Sequence, residues 1–550
     1  MVPDCSRCDF QRPVDRQRQR TRRWTEQQAH RKDPEWTSRV FIRSRINSRL
    51  TVNLGLRWDL ETPPTERYNR ENAGFDRTST YTRAGVNLTG GLLFVSSSNR
   101  TPFSNDLNNL QPRIGAAYKL TEKTVVRGGY ALMYLPSYGD SAYFNGFSNI
   151  TQYVQSNDGN RTPANSLSNP FPSGLLQPSG SSNGLATLIG TGGINFSVSD
   201  RPVANVKQFT AGIQQQLPAG FLLDLSYAGS RTRQLEVSAN TNYLSATDLA
   251  RGSAFLNSSV PNPYAAAMPA GTPGAAANTT QQQLLLPFPQ YFGTVIANNI
   301  PIGYSWYNAL QLRLERRLAK GFFFGGSFTY SKNMEAVSFL NPQDPSPNHS
   351  LNPQSYSSNA LARVVTADDA PYRVRLTGVY QLPSVKRGGP VVRALVNGWQ
   401  ANTIITFQAG TPIAAPANAF SAGIDQSVSN PSGAHYFNTC YIDTTGNRRN
   451  CASDAQPAWV QQPSFTLATL TPRMSNVRLS KPPVVDFSIF KTFTLHESLK
   501  LQFRAESFNL TNTPYFGAPN TSLTSAAFGQ VSNAQTNDPR VEQLSLRIEF

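Results

Sequence analysis

The chain has 550 residues, 50 Lys and Arg against 33 Asp and Glu, and a formal net charge of +17. Its mean hydropathy is −0.38 and no segment approaches the roughly 18 consecutive apolar residues of a membrane helix, which excludes a helical membrane protein. Four His and four Cys are thin material for metal or thiol chemistry, and no catalytic constellation or cofactor motif stands out.

The amino end is basic. Arg12, Arg16, Arg18, Arg20, Arg22 and Arg23 crowd one stretch, without apolar periodicity or interleaved aromatics. That pattern reads as a solvated tail rather than a nucleic-acid or anionic-lipid contact. Cys5 and Cys8 form a CxxC with no second pair or nearby His to complete a zinc site. No charged start is followed by an apolar stretch of ~7–15 residues, as a signal peptide would have. Residues 1–49 are therefore read as an Arg-rich tail, disordered or translated out of frame.

From Leu50 the pattern changes. Leu50, Val52, Leu54, Leu56, Trp58 and Leu60 alternate with polar residues and Gly, which predicts a strand with one apolar face. The pattern returns at Ile114–Leu120 and Val126–Tyr134, and at Phe209–Leu217 and Phe221–Tyr227. It continues at Leu310–Leu318, Phe322–Tyr330, Tyr372–Tyr380 and Trp399–Phe407. Val485–Phe493, Leu499–Ala505 and Leu544–Phe550 end the series, about twelve strands in all. In the last one Leu544, Leu546, Ile548 and Phe550 share a face, and the chain stops on an aromatic carboxyl terminus.

The connections alternate in length. Short links fall near 121, 218, 319, 383 and 496; long ones fill about 61–112, 136–206, 232–307, 333–371, 409–484 and 511–541. Bacterial outer-membrane barrels have short periplasmic turns and long extracellular loops. The expected fold is thus all-β, an antiparallel up-and-down transmembrane β-barrel with long extracellular loops, in the bacterial outer membrane with outer-membrane lipid around it. The carboxyl terminus then lies in the periplasm. Its terminal aromatic stripe (Leu544, Leu546, Ile548, Phe550) is the expected assembly signal for the barrel assembly machinery. Cys440 and Cys451 bracket a polar segment, CYIDTTGNRRNC; in an oxidising extracytoplasmic setting a disulfide is expected there, with two free thiols as the alternative.

Arg57, Arg113, Arg127, Arg313, Arg373, Arg375 and Arg504 fall on the polar side of their strands and are expected to line the lumen. Cross-strand pairing with carboxylates such as Asp224 and Glu315 is the plainer role for them, and plug docking or anionic substrate passage the sharper one. His30, His349, His435 and His496 are scattered, and Asp368-Asp369 reads as a turn before the strand at Tyr372.

Several stretches resemble the barrel portion of TonB-dependent outer-membrane receptors of the Oar-like type. They are LTVNLGLRWDLETPP (50–64), NLQPRIGAAYKL (109–120), VVRGGYALMY (125–134), the segment 307–334, NGWQANTIITFQAGTPI (397–413) and DFSIFKTFTLHESLKLQFRAESFNLTNTPYFGAPN (486–520). The resemblance covers residues 50–550. It implies a non-enzymatic receptor that captures a ligand with its extracellular loops and imports it. Members of that family have about 22 strands and a plug inside the barrel. Nothing before Leu50 looks like a plug or a TonB-contacting segment, so the chain reads as a truncated member, partnering the TonB complex only if a plug is supplied. The alternative is a surface-exposed structural or adhesive barrel without transport.

Overall fold

The computed structural model describes residues 31–32, 35–135, 142–151, 153–336, 364–452, 455–468, 470–495 and 499–550. Thirteen strands form one antiparallel meander in which each pairs with the next in sequence. They are β1 (Glu35–Arg45), β2 (Leu50–Glu61), β3 (Asp106–Thr121), β4 (Thr124–Leu135), β5 (Ala204–Gln216), β6 (Phe221–Asn240) and β7 (Val295–Ala319). Then follow β8 (Phe322–Ala336), β9 (Tyr372–Gln381), β10 (Trp399–Gln408), β11 (Val484–Thr494), β12 (Lys500–Phe508) and β13 (Val541–Glu549). Two short strands add to the sheet: Ile194–Ser197 runs parallel to the start of β7, and Val364–Val365 pairs with β8.

Register aligns the apolar side chains into rows. Leu50, Tyr118, Val126, Ile213, Leu225, Leu312, Phe328, Val374 and Phe407 stand directly opposite one another, from β2 through β10. A one-residue slip in any strand would turn its apolar set to the other side, so the alternation itself fixes the pairing. This face is uncovered: Leu54, Leu56, Trp58, Ile114, Tyr130, Leu310 and Tyr330 are all exposed. A contiguous apolar surface of that extent on a soluble protein would drive association; on a barrel it faces lipid. Among the described residues no helix is long and apolar enough to cross a membrane.

The short connections are built for tight reversal. Lys320 and Gly321 link β7 to β8 with φ of 51° and 78°. A Cβ on Gly321 would lie 2.6 Å from the Gln381 carbonyl oxygen, so both the left-handed backbone and the space require glycine.

Three expectations change. The sheet begins at Glu35, not Leu50: β1 pairs along its whole length with β2, setting Val40 opposite Leu56 and Ile42 opposite Leu54. The sequence EWTSRVFIRSR hid this strand because Ser38 and Phe41 interrupt the alternation and four of its residues are Arg or Glu. The run Arg12–Arg23, Cys5 and Cys8 lie outside the described residues. With β1 the meander among the described residues has thirteen strands, one more than the twelve from Leu50 onward, and the alternation of short and long links extends by one member through residues 46–49. Finally, the connection after Gln381 is not a tight turn, because it contains a helix, α1 (Pro390–Val396).

Candidate functional site: a folded loop cap over the polar sheet face

Strands β6 and β7 have 20 and 25 residues, about twice the 9–11 that cross a bilayer. Beyond register shifts between Thr232 and Ala239 they continue upward as the base of a cap. The long connections fold against this base rather than standing as open loops.

The first cap unit combines the connections after β2, β4 and β6. A hairpin, Asn72–Arg83 with Val86–Phe94, turns through Ala84 and Gly85, both at positive φ. Its Leu88 and Leu92 are buried against Ile189, Ile194, Phe196 and Val295. Phe75 packs on Phe196 and Phe288 with ring centroids 5.3 and 4.9 Å apart. Contact is close enough that a Cβ on Gly91 would sit 2.1 Å from the Leu185 carbonyl oxygen. Several polar groups inside are matched: Asn242 donates to the Phe288 carbonyl at 3.1 Å and accepts from the Phe288 N–H at 2.9 Å. Arg201 pairs with Glu236 at 2.8 Å and lies 4.4 Å from the Phe103 ring, while Asn299 donates to the second Glu236 oxygen at 2.7 Å. Burial pushes the Tyr81 phenol up to about 12, and burial pushes Tyr291 further in the same direction.

The second unit combines the connections after β10 and β12. Ile413, Phe437, Trp459, Met474, Val477 and Phe528 form its core. Cys440 and Cys451 are joined by a disulfide. Inside the loop it closes, Asp443 accepts from Thr445 Oγ1 at 2.7 Å and from Arg449 Nε at 2.8 Å, which holds its carboxyl well below the usual carboxylate range. Two arginines fasten this unit to the sheet. Arg473 reaches Glu335 of β8 at 2.6 Å, and Arg478 reaches the buried Asp369 just before β9 at 2.6 Å. Asp369 is thus an anchor; a role for the Asp368-Asp369 pair beyond the turn was not legible in sequence. A smaller cluster of Leu244, Leu249 and Leu256 packs with Phe465 and Leu467, joining the two units.

One open cavity of about 400 Å³ lies in the connection after β4, lined by Tyr153, Gln155, Ser156, Asn160, Thr162 and Asn165 among others. Beside it Asp158 accepts from Ser156 Oγ and Thr162 Oγ1, both at 2.6 Å, which lowers its pKa far below the usual range. Composition alone did not distinguish this stretch from other Asn- and Ser-rich loops.

On the sheet, the seven arginines share the polar face, but the structure brings them together only in part. Arg57 pairs with Asp59 at 2.7 Å within its own strand, and Gln111 donates to the same carboxylate. Arg127, Asp224, Arg313 and Glu315 form a cluster: Arg127 bonds Asp224, Arg313 bonds Glu315 at 2.5 Å, and Asp224 stands opposite Arg313 in register. Arg373 donates to Gln408 at 3.0 Å, and Arg504 donates to Gln502 at 2.5 Å and lies over the Phe490 ring. Arg375 stands opposite Ser327 and Thr406, and Arg113 opposite Gly55 and Ala131. Leu544, Leu546 and Ile548 stand on the apolar face opposite Ala505, Phe503 and Leu501, on a strand that among the described residues pairs on one side only. Phe550 follows that strand and is 97% exposed. His435 lies in a turn with Ser432; the other three histidines lie outside the described residues. No group of three or more His, Cys, Asp or Glu with metal-holding geometry occurs among the described residues.

A sheet apolar on one side, charged on the other and capped at one end agrees with the family comparison. A profile described as an outer membrane beta barrel domain matches residues 19–543. The chain belongs to the outer membrane beta barrel domain family. No curated protein matches it. Among solved structures, it is similar to the pyoverdine receptor FpvA of Pseudomonas aeruginosa at 10% identity and a TM-score of 0.40, covering 95% of this chain and 39% of that one. It is also similar to the ferric-catecholate import receptor Fiu of Escherichia coli, at 13% identity and a TM-score of 0.37, covering 95% and 45%. A third is the outer membrane transporter YddB of Escherichia coli, at 9% identity and 0.40, covering 94% and 54%. The chain therefore spans about two fifths to a half of the length of these structures.

Proposed function

We infer that this chain is the barrel and loop-cap portion of an outer-membrane receptor of the TonB-dependent, Oar-like type. The cap captures a ligand outside the cell, and the ligand then passes across the outer membrane through the barrel when plug and TonB-contacting segments are present. The observation that carries this reading is the cap itself: long connections from one end of the sheet fold into cored units that are fastened to strand ends by Arg473 and Arg478. The orientation follows from loop length, with short turns and the carboxyl terminus in the periplasm. The polar-face arginines line the lumen in this reading. Their pairing with Asp59, Asp224 and Glu315 favours a structural role, stabilising a wet interior, over passage of anions. Leu544, Leu546, Ile548 and Phe550 serve as the assembly signal.

Among the described residues β1 and β13 each pair on one side only, and hydrocarbon does not satisfy unpaired backbone groups. Closure in the membrane therefore comes from pairing of these two edges or from further strands of a longer chain.

The test is energy-dependent uptake. Cells carrying the whole gene product are incubated with a complex nutrient mixture, with and without a protonophore. Selective depletion of a component that stops when the inner-membrane gradient is dissipated is the expected result. Surface binding that persists unchanged with no accumulation inside would replace this reading by the structural or adhesive one.

A further inference from the structure

The connection between β9 and β10 carries a surface that the cap and lumen do not use. In α1, Val391, Val392, Leu395 and Val396 are 70%, 50%, 60% and 43% exposed. Spaced i, i+1, i+4 and i+5, they form one apolar stripe, with Arg393 on the other side of the helix. Leu382 and Val385, just before it, are exposed as well. A two-turn helix does not hold its shape alone in water, so its tethers decide where it sits.

Those tethers come from the apolar face of the sheet. The Leu395 carbonyl accepts from Trp399 Nε1 at 2.8 Å and from Lys491 Nζ at 3.1 Å, and Lys491 also donates to the Asn397 carbonyl. Asn397 in turn exchanges hydrogen bonds of 2.6 and 3.1 Å with the Val385 backbone. Trp399 and Lys491 stand opposite each other in register, on the same side of β10 and β11 as Ile405, Phe407, Phe487 and Ile489. Lys491 is a cation in an otherwise apolar stripe. It is 2% exposed, with its ammonium 5.3 Å from the Trp399 ring and 4.9 Å from that of Phe493. The carbonyls at the carboxyl end of α1 satisfy that charge. The helix is therefore folded toward the lipid side of the sheet edge and away from the polar face. The segment 382–398 also holds Lys386, Arg387 and Arg393 and no acidic residue.

We propose that α1 is an interfacial anchor: its Val391–Val396 stripe enters the acyl boundary beside the barrel, and Lys386, Arg387 and Arg393 hold anionic phospholipid head groups of the periplasmic leaflet. Continuity with the lipid-facing rows and complementary charge select this occupant. Trp399 at the same level suits the headgroup region. The proposal rests on the orientation that places the sheet end bearing the short connections, and with it the segment 382–398, in the periplasm.

The test uses the full chain in a Gram-negative host, with a benzophenone amino acid at Leu395 and, as a control within the apolar row, at Leu312. Illumination is expected to yield phospholipid adducts at both positions. A lipopolysaccharide adduct at Leu395 overturns the periplasmic orientation and the ligand proposed with it. A protein adduct, or none while Leu312 captures lipid, overturns the anchor alone; no lipid at Leu312 overturns the membrane reading of that face. In native mass spectrometry with mixed phosphatidylglycerol and phosphatidylethanolamine, the bound anionic fraction is expected to fall about fivefold for each charge removed by Lys386→Ser, Arg387→Ser and Arg393→Ser. An unchanged ratio in the triple variant refutes head-group recognition by these residues.

Discussion

The second cap unit is fastened to the sheet by a buried ion pair, and Arg478→Met tests that anchor. Arg478 bonds Asp369 Oδ2 at 2.6 Å, the Asp369 carbonyl at 2.7 Å and the Gly410 carbonyl at 3.2 Å. Asp369 is 2% exposed, and its other carboxylate oxygen accepts from the Asn333 N–H at 2.7 Å. Without the guanidinium one backbone donor is left to face a buried negative charge. Breaking a buried pair from one side costs about 3–5 kcal/mol. Local opening of the cap base should then rise by roughly two to three and a half orders of magnitude. Native-state hydrogen exchange on the protein in micelles reads this directly, in peptides covering 410–415 and 472–478, with the strands of the sheet as internal reference. Adding Asp369→Asn removes the stranded charge, and the double variant should recover most of the loss, remaining about 1–3 kcal/mol below the parent. An Arg478→Met change of less than about threefold, or a double variant no more protected than the single, would refute the anchor.

Four further outcomes are expected. Leu312→Arg places a charge in the apolar row and should cost about 2–4 kcal/mol of stability in lipid vesicles, whereas Gln311→Arg on the polar face should cost little; equal costs would mean that the row does not face lipid. Replacing Cys440 and Cys451 together by Ser opens a loop of sequence separation 11, and loop-closure entropy puts the local loss at about 3 kcal/mol, to be read as faster proteolysis between those positions. The Tyr81 phenol, raised by burial to about 12, favours the folded cap fully below its ordinary value of 10.0; that contribution is lost as pH rises from there through 12. Tyrosinate absorbance should show this class titrating late and together with loss of cap protection, and a single ordinary transition for all tyrosines would contradict the burial. Deleting Phe550 should lower the inserted fraction in cells without altering the cap disulfide, and unchanged insertion would count against an assembly role.

The sheet was legible because barrel strands carry their instruction locally. Each of the twelve segments from Leu50 onward alternates strictly enough that its apolar face is implied by period alone; the partners across the sheet, such as Leu312 with Leu225 and Phe328, are set by pairing. β1 escaped because its alternation is broken and its charges resemble those of the tail before it. The cap was not legible for a different reason. Its core is assembled from residues far apart in sequence: Leu88, Phe196 and Phe288 belong to three different connections, and none sits in a periodic run long enough to signal itself. Its anchors are single side chains, Arg201, Arg473 and Arg478, whose partners lie 35, 138 and 109 positions away. The disulfide between Cys440 and Cys451 was the arrangement expected in an oxidising compartment, with two free thiols as the alternative, and it is the one present. Alternation puts the seven arginines on one sheet face, but which of them pair was set by cross-strand neighbours that composition does not disclose.

In the receptor proposed above, the folded cap bears on how a ligand is met. Loops that order only on binding lose conformational freedom at that moment, and the loss is subtracted from affinity. Here much of that ordering is already in place before any ligand arrives, held by two hydrophobic cores, a disulfide and buried arginine pairs. The first unit is a direct continuation of β6 and β7, and the second grips the ends of β8 and β9, so both are mechanically continuous with neighbouring strands of the barrel. A ligand that shifts the second unit must act on Glu335 and Asp369, and through them on the strand ends beside the polar face. The loop lining the open cavity at Tyr153–Leu167 is held by hydrogen bonds within itself, as from Asn165 to the Val154 carbonyl at 3.2 Å. The cap thus divides into a platform fastened to the sheet and a rim bonded within itself, and in the proposed receptor ligand-induced change is expected at the rim first.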